Sequence, residues 1–560
     1  MPMSERVFVG VAWPYANGPL HLGHVAGAYL PADIFARYHR IRGNDVLMVS
    51  GSDQHGTPVT IRAAKEGKSP QEVVAHYHQG FVDCWGKLGI SFDLFTTTGT
   101  LNHRQVVQDM FLRLLEKGHI YKDRMPLPYC PKCLRFLPDR YVEGTCPNCG
   151  SPKARGDQCD ECGKPLNPVD LVRPRCGICQ STPEIRDSEH FFLRLSAFSE
   201  QLKSWVQNQT HWRQNVMNFT LGYLTEGLRD RAITRDIDWG VPVPLPGYDD
   251  KRIYVWFEAV IGYLSASMEW ATSSGDADRW RDFWQGEVKS YYFIGKDNIV
   301  FHTIIWPAML MGYGGLNLPY DVPANEFLSL GGKKLSTSRN WAVWLPEYLE
   351  RYAPDPLRYL LSINMPETGD SDFSWRGFVR RNNDELVATY GNLVHRVLTL
   401  AYRNFDARVP AAGEVDAASK ALLDRARATL DSVGGLIRNC HFREAMREAM
   451  LLAHEANRYL DSKSPWKTVK TDKDAAASAI STALAVICCL KTMLYPFLPF
   501  SSQRLHRLLG FDGSVEDGGW AYTPAPAGQR LPAPEPLFAK LDDAVVEEEN
   551  HRLEQSALVS

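Results

Sequence analysis

Eight of the twelve cysteines fall into four C-x-x-C pairs: Cys130/Cys133, Cys146/Cys149, Cys159/Cys162 and Cys176/Cys179. Two thiolates at this spacing form a knuckle that supplies half of a tetrahedral zinc shell, so four knuckles make two four-coordinate sites. Closed shells of four cysteines leave no open position, which makes their role structural rather than catalytic. The spacing lets the pairs combine sequentially or nested. The other cysteines, Cys84, Cys440, Cys488 and Cys489, stand in apolar or helical contexts. The pattern therefore points to metal in a reducing compartment, not to a secreted disulfide framework.

Two further groups suit a nucleotide. His21-Leu22-Gly23-His24 stands between a strand-like run and a helical stretch. The free N–H groups and partial positive charge of a helix N-terminus favour phosphate. Gly23 would let a nucleotide ring approach the backbone closely. Two imidazoles three residues apart can donate to phosphate oxygens whose charge grows as the α-phosphorus is attacked. The second group, Gly331-Gly332-Lys333-Lys334-Leu335-Ser336-Thr337-Ser338-Arg339, is a Gly-rich loop of cations and hydroxyls suited to a leaving pyrophosphate. Singly, each would also suit an ordinary surface turn. Together, in this order on one α/β chain, they imply ATP-dependent adenylation of a small carboxylic acid, with Mg2+ bridging the phosphates.

The elements that must position these groups can be read from the apolar pattern. Val7–Ala12 and Asp45–Ser50 are short apolar runs suited to buried parallel strands, and a helical stretch from His21 to Ile41 joins them, kinked or divided by Pro31. This β-α-β opening predicts a doubly wound, Rossmann-like parallel sheet of the α/β class. Tyr291–Gly295 is a further strand of it, followed by Lys296-Asp297 and a helical run from Val300. Residues 119–230, rich in proline, glycine and cysteine, read as an insertion. After about residue 380 the chain turns helical: Leu386, Tyr390, Leu393, Val397 and Leu400 form one stripe. The expected division is a catalytic domain in two halves, 1–118 and 231–325. The knuckle-bearing insertion is 119–230, a linker domain with the Gly-rich loop 326–385, a helical bundle 386–545 and a tail 546–560. Segment 521–537 should wrap as irregular chain, and the charged residues 541–560 should fray.

Size and charge bound the function classes. The 560 residues are 44% hydrophobic and 23% charged, with net charge −3, which excludes a global basic field and leaves nucleic-acid contact to local patches. No basic region followed by an apolar one opens the chain, and the most apolar segment, 482–499, is interrupted by Lys491, so neither a signal peptide nor a membrane span is expected.

With these motifs in place the chain resembles the class I aminoacyl-tRNA synthetases, whose signatures are H-I-G-H and K-M-S-K-S. Here they stand as H-L-G-H and Lys334-Leu335-Ser336-Thr337-Ser338. The match is with the methionyl-tRNA synthetase family and covers nearly the whole chain. The resemblance implies that Ala12, Trp13, Tyr15, Asp53, Trp256, Ala259, Tyr263 and His302 form the L-methionine site, with Asp53 holding the ammonium. Aromatic walls suit a polarizable thioether, and Tyr15 or His302 could touch its sulfur. It further implies ATP contacts from His21, Gly23, His24, Asp297, Lys334, Ser336 and Thr337, and catalytic roles for His21, His24, Lys334 and Arg235. The nested zinc pairing follows from the same resemblance: Cys146, Cys149, Cys159 and Cys162 on one ion, Cys130, Cys133, Cys176 and Cys179 on the other. Asn392, Arg396 and Trp466 would read the anticodon of tRNA(Met), initiator and elongator, by stacking and edge hydrogen bonds. A cytoplasmic monomer is expected, since the dimerising tRNA-binding extension of some relatives is missing.

The insertion is too short and too cysteine-rich for the large editing domain of the leucine, isoleucine and valine enzymes. Two other readings stand beside the synthetase: a catalytically idle paralogue that binds tRNA, and a short H-x-G-H adenylyltransferase, which would need neither knuckles nor bundle. One departure from the family pattern is Thr337, where a lysine is usual; Lys333 or Arg339 could replace that cation.

Overall fold

The computed structural model describes residues 4–137, 141–156, 159, 161–162, 164, 166–335, 340–413 and 415–558. The core is a five-stranded sheet of β1 (Arg6–Val11), β2 (Asp45–Ser52), β3 (Leu94–Thr97), β4 (Lys289–Gly295) and β5 (Ala324–Asn325). The order is β5-β4-β1-β2-β3, and every pair is parallel, with Val9 opposite both Met48 and Tyr291. Alternate residues of β1 feed two cores. Val7, Val9 and Val11 pack with the helices on one face, and Phe8 with those on the other. Burial on both faces is why these strands read as continuous apolar runs.

Between the two halves of the sheet, strands Ile120–Cys130 and Glu184–Leu193 form a long antiparallel ribbon, running in register from Ile120↔Leu193 to Tyr129↔Glu184. The cysteine pairs sit on and beyond this ribbon, around a small sheet of Val142–Thr145, Ala154–Arg155 and Val172–Cys176. After β5, strands Leu328–Leu330 and Lys333–Lys334 form a hairpin beside Ser371–Phe373. Gly331 and Gly332, at φ +57° and +76°, make its left-handed turn.

The rest is helical: Asn392–Asn404, Ala417–Arg438, Phe442–Lys463, Lys473–Leu494 and Pro499–Leu508. Leu386, Tyr390, Leu393 and Val397 are buried as their spacing requires, and Leu400 is partly so. Helix Lys473–Leu494 is long and apolar enough to cross a membrane by composition, but 94% of its apolar window is buried inside the bundle. Segment 521–537 holds no helix or strand.

Two expectations are met only in part. The stretch from Leu22 to Ile41 is helical throughout, as expected, but Pro31 does not break it: a short α-turn, Leu22–His24, runs through a π-turn, Val25–Tyr29, into helix Leu30–Ile41. The described residues of 541–560 are largely helical rather than irregular. Ala544–Leu558 is a helix whose Glu549, 3% exposed, accepts from Arg351 Nε at 2.8 Å, Arg351 Nη2 at 2.9 Å and Tyr352 Oη at 2.8 Å. A buried carboxylate with three donors fixes the chain end against the helix Leu345–Arg351.

Candidate active site

Ala12, Trp13, Tyr15, Asp53, Trp256, Ala259, Tyr263 and His302 line one basin, with Asp297 at its edge. Residues 12–15 leave the carboxyl end of β1, Asp53 that of β2, and Asp297 and His302 that of β4. These are neighbouring parallel strands, and the crevice beyond their carboxyl ends is where open α/β sheets bind ligands. Trp256 and Ala259 come from the turn of helix around Val255–Glu258, and Tyr263 from Gly262–Ser273. Trp13 lies so close to Gly262 that a Cβ there would stand 2.7 Å from its ring.

The buried polar groups are neutralised by their surroundings. His302 Nδ1 donates to the Asn298 carbonyl at 2.9 Å, so its Nε2 accepts from Tyr263 Oη at 2.8 Å. Burial brings its pKa down to about 4, consistent with this neutral tautomer. Both ring nitrogens are thus spent, and the expected polar contact from His302 to a substrate sulfur is not open to them. Asp53 is 3% exposed; burial, and then the charge of Glu258, push it up to about 8.

The H-L-G-H segment is built differently from the expectation. His21 is the N-cap of its turn. Its Nδ1 accepts from Gly23 N at 3.1 Å, and His24 Nδ1 accepts from His21 N at 3.1 Å. Leu22 N donates to Val343 O at 3.2 Å and His24 N to His21 O at 3.0 Å. The first-turn amides are therefore all partnered, so the helix N-terminus offers no free N–H to phosphate. The imidazoles replace them. With Nδ1 accepting, each neutral ring carries its hydrogen on Nε2. The rings stack at 3.8 Å, and burial lowers both pKa values, His24 to about 4 and His21, helped by His24, well below the usual range. They are neutral donors rather than cations.

Gly23 also has another neighbour than a nucleotide. A Cβ there would stand 2.8 Å from Leu335 Cδ1, so the Gly-rich loop lies against this turn. Lys334, on the exposed hairpin strand, is close enough for its charge to act on Asp297; Lys296, which does the same, is already paired with Glu326 at 2.7 Å and Asp370 at 2.9 Å. Ser336 and Thr337 lie outside the described residues. Arg235 faces a second cavity that shares Tyr254, Trp256, Asp297 and Phe301 with the basin; its guanidinium lies 3.8 Å over the Tyr254 ring and donates to the Ala232 and Thr234 carbonyls.

Sequence reasoning missed Glu258, His55 and His103. Glu258 is fully buried, and its Oε1 receives His55 Nδ1 and, at 3.2 Å, His103 Nε2. Burial alone would raise this carboxyl, but the two imidazoles draw it down to about 2. The available signal was a lone acid inside the apolar run Val255-Trp256-Phe257-Glu258-Ala259.

The knuckles gather in nested order. The sulfurs of Cys130, Cys133, Cys176 and Cys179 lie within 4.8 Å of one another, as do those of Cys146, Cys149, Cys159 and Cys162. A tetrahedral zinc with bonds of about 2.3 Å needs sulfurs about 3.8 Å apart. Cys133–Cys176 and Cys146–Cys162 are at 3.9 Å, Cys149–Cys159 at 3.6 Å and Cys130–Cys179 at 3.5 Å, and none is disulfide-bonded. The donor sets fit the ion. At the helical end, Arg396 lies 4.8 Å over the Trp466 ring and pairs with Asp461 at 3.0 Å, while Asn392 is exposed one turn before it.

Known proteins match along the same lines. Residues 7–398 match the family described as tRNA synthetases class I (M), and residues 409–557 the anticodon binding domain of methionyl tRNA ligase. A methionine–tRNA ligase of Dehalococcoides mccartyi is 63% identical over 98% of this chain and 100% of its own. One of Thermomicrobium roseum is 53% identical over 98% and 99%. The solved Mycobacterium tuberculosis methionyl-tRNA synthetase in complex with methionyl-adenylate superposes with a TM-score of 0.80 at 26% identity, covering 95% of this chain and 99% of that one. The agreement spans both the α/β part and the helical part, and the chain belongs to the methionyl-tRNA synthetases, the methionine–tRNA ligases of class I.

Proposed function

We propose that the basin holds L-methionine while its carboxylate attacks the α-phosphorus of ATP, giving methionyl-adenylate and pyrophosphate. The observation that carries this is the meeting of Asp53, Trp256, Tyr263 and His302 in one basin at the carboxyl ends of neighbouring strands. Asp53 binds the ammonium, and the aromatic walls take the thioether. His21 and His24 donate from Nε2 to the phosphate oxygens as their charge grows, as preorganised neutral dipoles. Gly23, Asp297, Ser336 and Thr337 complete the nucleotide contacts, and Lys334 draws on the leaving group. Mg2+ bound with ATP supplies charge neutralisation of the phosphates. In the second step the terminal adenosine 2′-OH of tRNA(Met) attacks the adenylate carbonyl, with Arg235 beside it; the acyl–phosphate bond breaks and AMP leaves as the methionyl ester forms. The two cysteine sets hold structural Zn2+. Asn392, Arg396 and Trp466 read the anticodon of initiator and elongator tRNA.

The spans 1–118 and 231–325 form the catalytic domain around the insertion 119–230. Residues 326–385 form the linker and 386–545 the anticodon-binding bundle, with the docked last helix in place of a free tail. The working form is a cytoplasmic monomer.

The test is methionine-dependent exchange of pyrophosphate into ATP. Methionine should support it and leucine and valine should not, and His24→Ala should slow it by about 10²–10³-fold. Exchange driven by leucine or valine would overturn the substrate, and an unchanged His24→Ala rate would overturn the role of the imidazoles.

A further inference from the structure

Behind the basin wall sits a carboxylate that the adenylation chemistry does not use. Glu258 ends the short helix whose Trp256 faces the basin, and it is buried completely. Its Oε1 takes both imidazoles, while its Oε2 is buried with no hydrogen-bond partner among the described residues. Fold stability gives no reason for this. A buried ion cluster with an unsatisfied oxygen is at best neutral against apolar side chains of the same volume.

Position gives a reason. His55 belongs to the turn that carries Asp53, and its backbone N–H donates to Asp53 Oδ1 at 3.2 Å. The turn is strapped on other sides too: Gln54 N donates to Thr98 Oγ1 at 3.0 Å, and Trp239 Nε1 donates to Gln54 O at 2.6 Å. The strap from His55 to Glu258 joins this turn to the helix carrying Trp256. His103, held at its other nitrogen by Ser265 Oγ at 2.8 Å, fixes Glu258 from the far side.

We propose that Glu258 is a positioning residue for the ammonium of the amino-acid substrate: through His55 it fixes the Asp53 carboxylate at a set distance from the wall that holds the side chain. This deepens the reading of Asp53 given above and rests on it. The strap thereby favours an α-amino acid over the same carbon chain without its amine. The strap acts through geometry, since after burial the negative charge of Glu258 itself disfavours the Asp53 anion; His55, raised by Glu258 against the effect of burial, keeps the strap charge-assisted.

The test compares binding of L-methionine with that of 4-(methylthio)butanoate, which lacks only the amine, in the full chain. Measured above about pH 8, where Asp53 is ionised in parent and variant alike, Glu258→Gln should raise the Kd for methionine about tenfold or more and leave the Kd for the deaminated acid within about twofold. Combined with Asp53→Asn, it should add nothing further, because both act on one interaction. Equal weakening of both ligands, or additive effects in the double variant, would overturn the proposal. If Asp53→Asn itself leaves methionine binding intact, the reading of Asp53 falls and the proposal with it. If Asp53→Asn weakens binding but Glu258→Gln does not, the proposal alone falls. Should Glu258→Gln not fold, His55→Leu removes the donor of the same strap and carries the same expectations.

Discussion

Asp53 in the basin keeps its proton up to about pH 8, because burial and the charge of Glu258 both disfavour its anion. An ammonium ligand favours that anion, so binding must expel the proton. The sign follows. Below pH 8 methionine binds against a protonated carboxyl, and its affinity rises with pH, by about tenfold per unit for one fully linked proton. The rise should flatten above pH 8, where Asp53 is already ionised, and calorimetry in buffers of different ionisation heat should show about one proton released per methionine. A pH-independent Kd between about 6.5 and 8, or no proton release, would mean that this carboxylate does not meet the ammonium. Asp53 was legible as a candidate because it sits in a local pattern, Ser52-Asp53-Gln54-His55-Gly56, next to a strand. Its environment was not, because the group that raises it, Glu258, meets the turn through His55, 203 residues away in the chain, and is held from another helix by His103, 155 residues away.

At the scale of elements, proline was readable and its remedy was not. Pro31 has no N–H to give the preceding turn, and a kink is the usual result. Instead the helix widens into the π-turn Val25–Tyr29, with Leu30 N bonded to Val25 O. In that pattern the next residue, Pro31, should donate to Ala26 O and cannot; the missing donor is supplied by Asn325 Nδ2 at 2.8 Å, from β5. The same device recurs in the second half of the sheet, where the π-turn Phe301–Ile305 ends just before Pro307 and carries His302 into the basin. Single π-turns of this kind re-aim side chains at functional sites. No local pattern could reveal the first remedy, since its donor lies 299 residues downstream. Asn325 is 1% exposed, and its Oδ1 accepts from Arg213 Nη1 at 2.7 Å. Asn325→Asp keeps that acceptor for Arg213 and replaces the donor to Ala26 by an ionised oxygen, which repels the carbonyl. It should lower stability by about 1–3 kcal/mol through the unsatisfied buried carbonyl, read as a shifted denaturant midpoint. A midpoint equal to that of the parent would show that Ala26 O finds another partner.

The whole molecule is tied together by one buried arginine. Arg358, in helix Pro354–Ile363, is fully buried. It donates from Nε to Phe497 O at 2.7 Å and from Nη2 to Pro496 O at 2.9 Å and Asp33 Oδ2 at 2.6 Å. Asp33 belongs to the helix after the π-turn and also takes Arg37 Nε at 2.9 Å and Ser91 Oγ at 2.6 Å, while Arg37 reaches Tyr495 Oη at 3.2 Å. The linker, the sheet's helix layer and the end of helix Lys473–Leu494 therefore meet at one carboxylate. Burial alone would raise Asp33, but Arg37 and Arg358 draw it down to about 2. A depressed carboxyl contributes stability that is present above its unfolded pKa of about 3.9 and lost as pH falls through the folded value, so the native chain should lose this part of its stability between about pH 4 and 2. Arg358→Met keeps most of the volume and removes the charge. It should cost about 3 kcal/mol, toward the lower end for a broken buried pair because Arg37 still faces Asp33. The part of the loss that belongs to the pair should shrink as pH falls from about 4 to 2, because protonating Asp33 removes it from the parent as well. Denaturant unfolding at several pH values decides the matter: a loss that stays constant down to about pH 2 would assign Arg358 to packing and to its carbonyl bonds alone, whereas a loss that shrinks over that range places the Asp33–Arg358 pair at the joint between the catalytic sheet and the helical end.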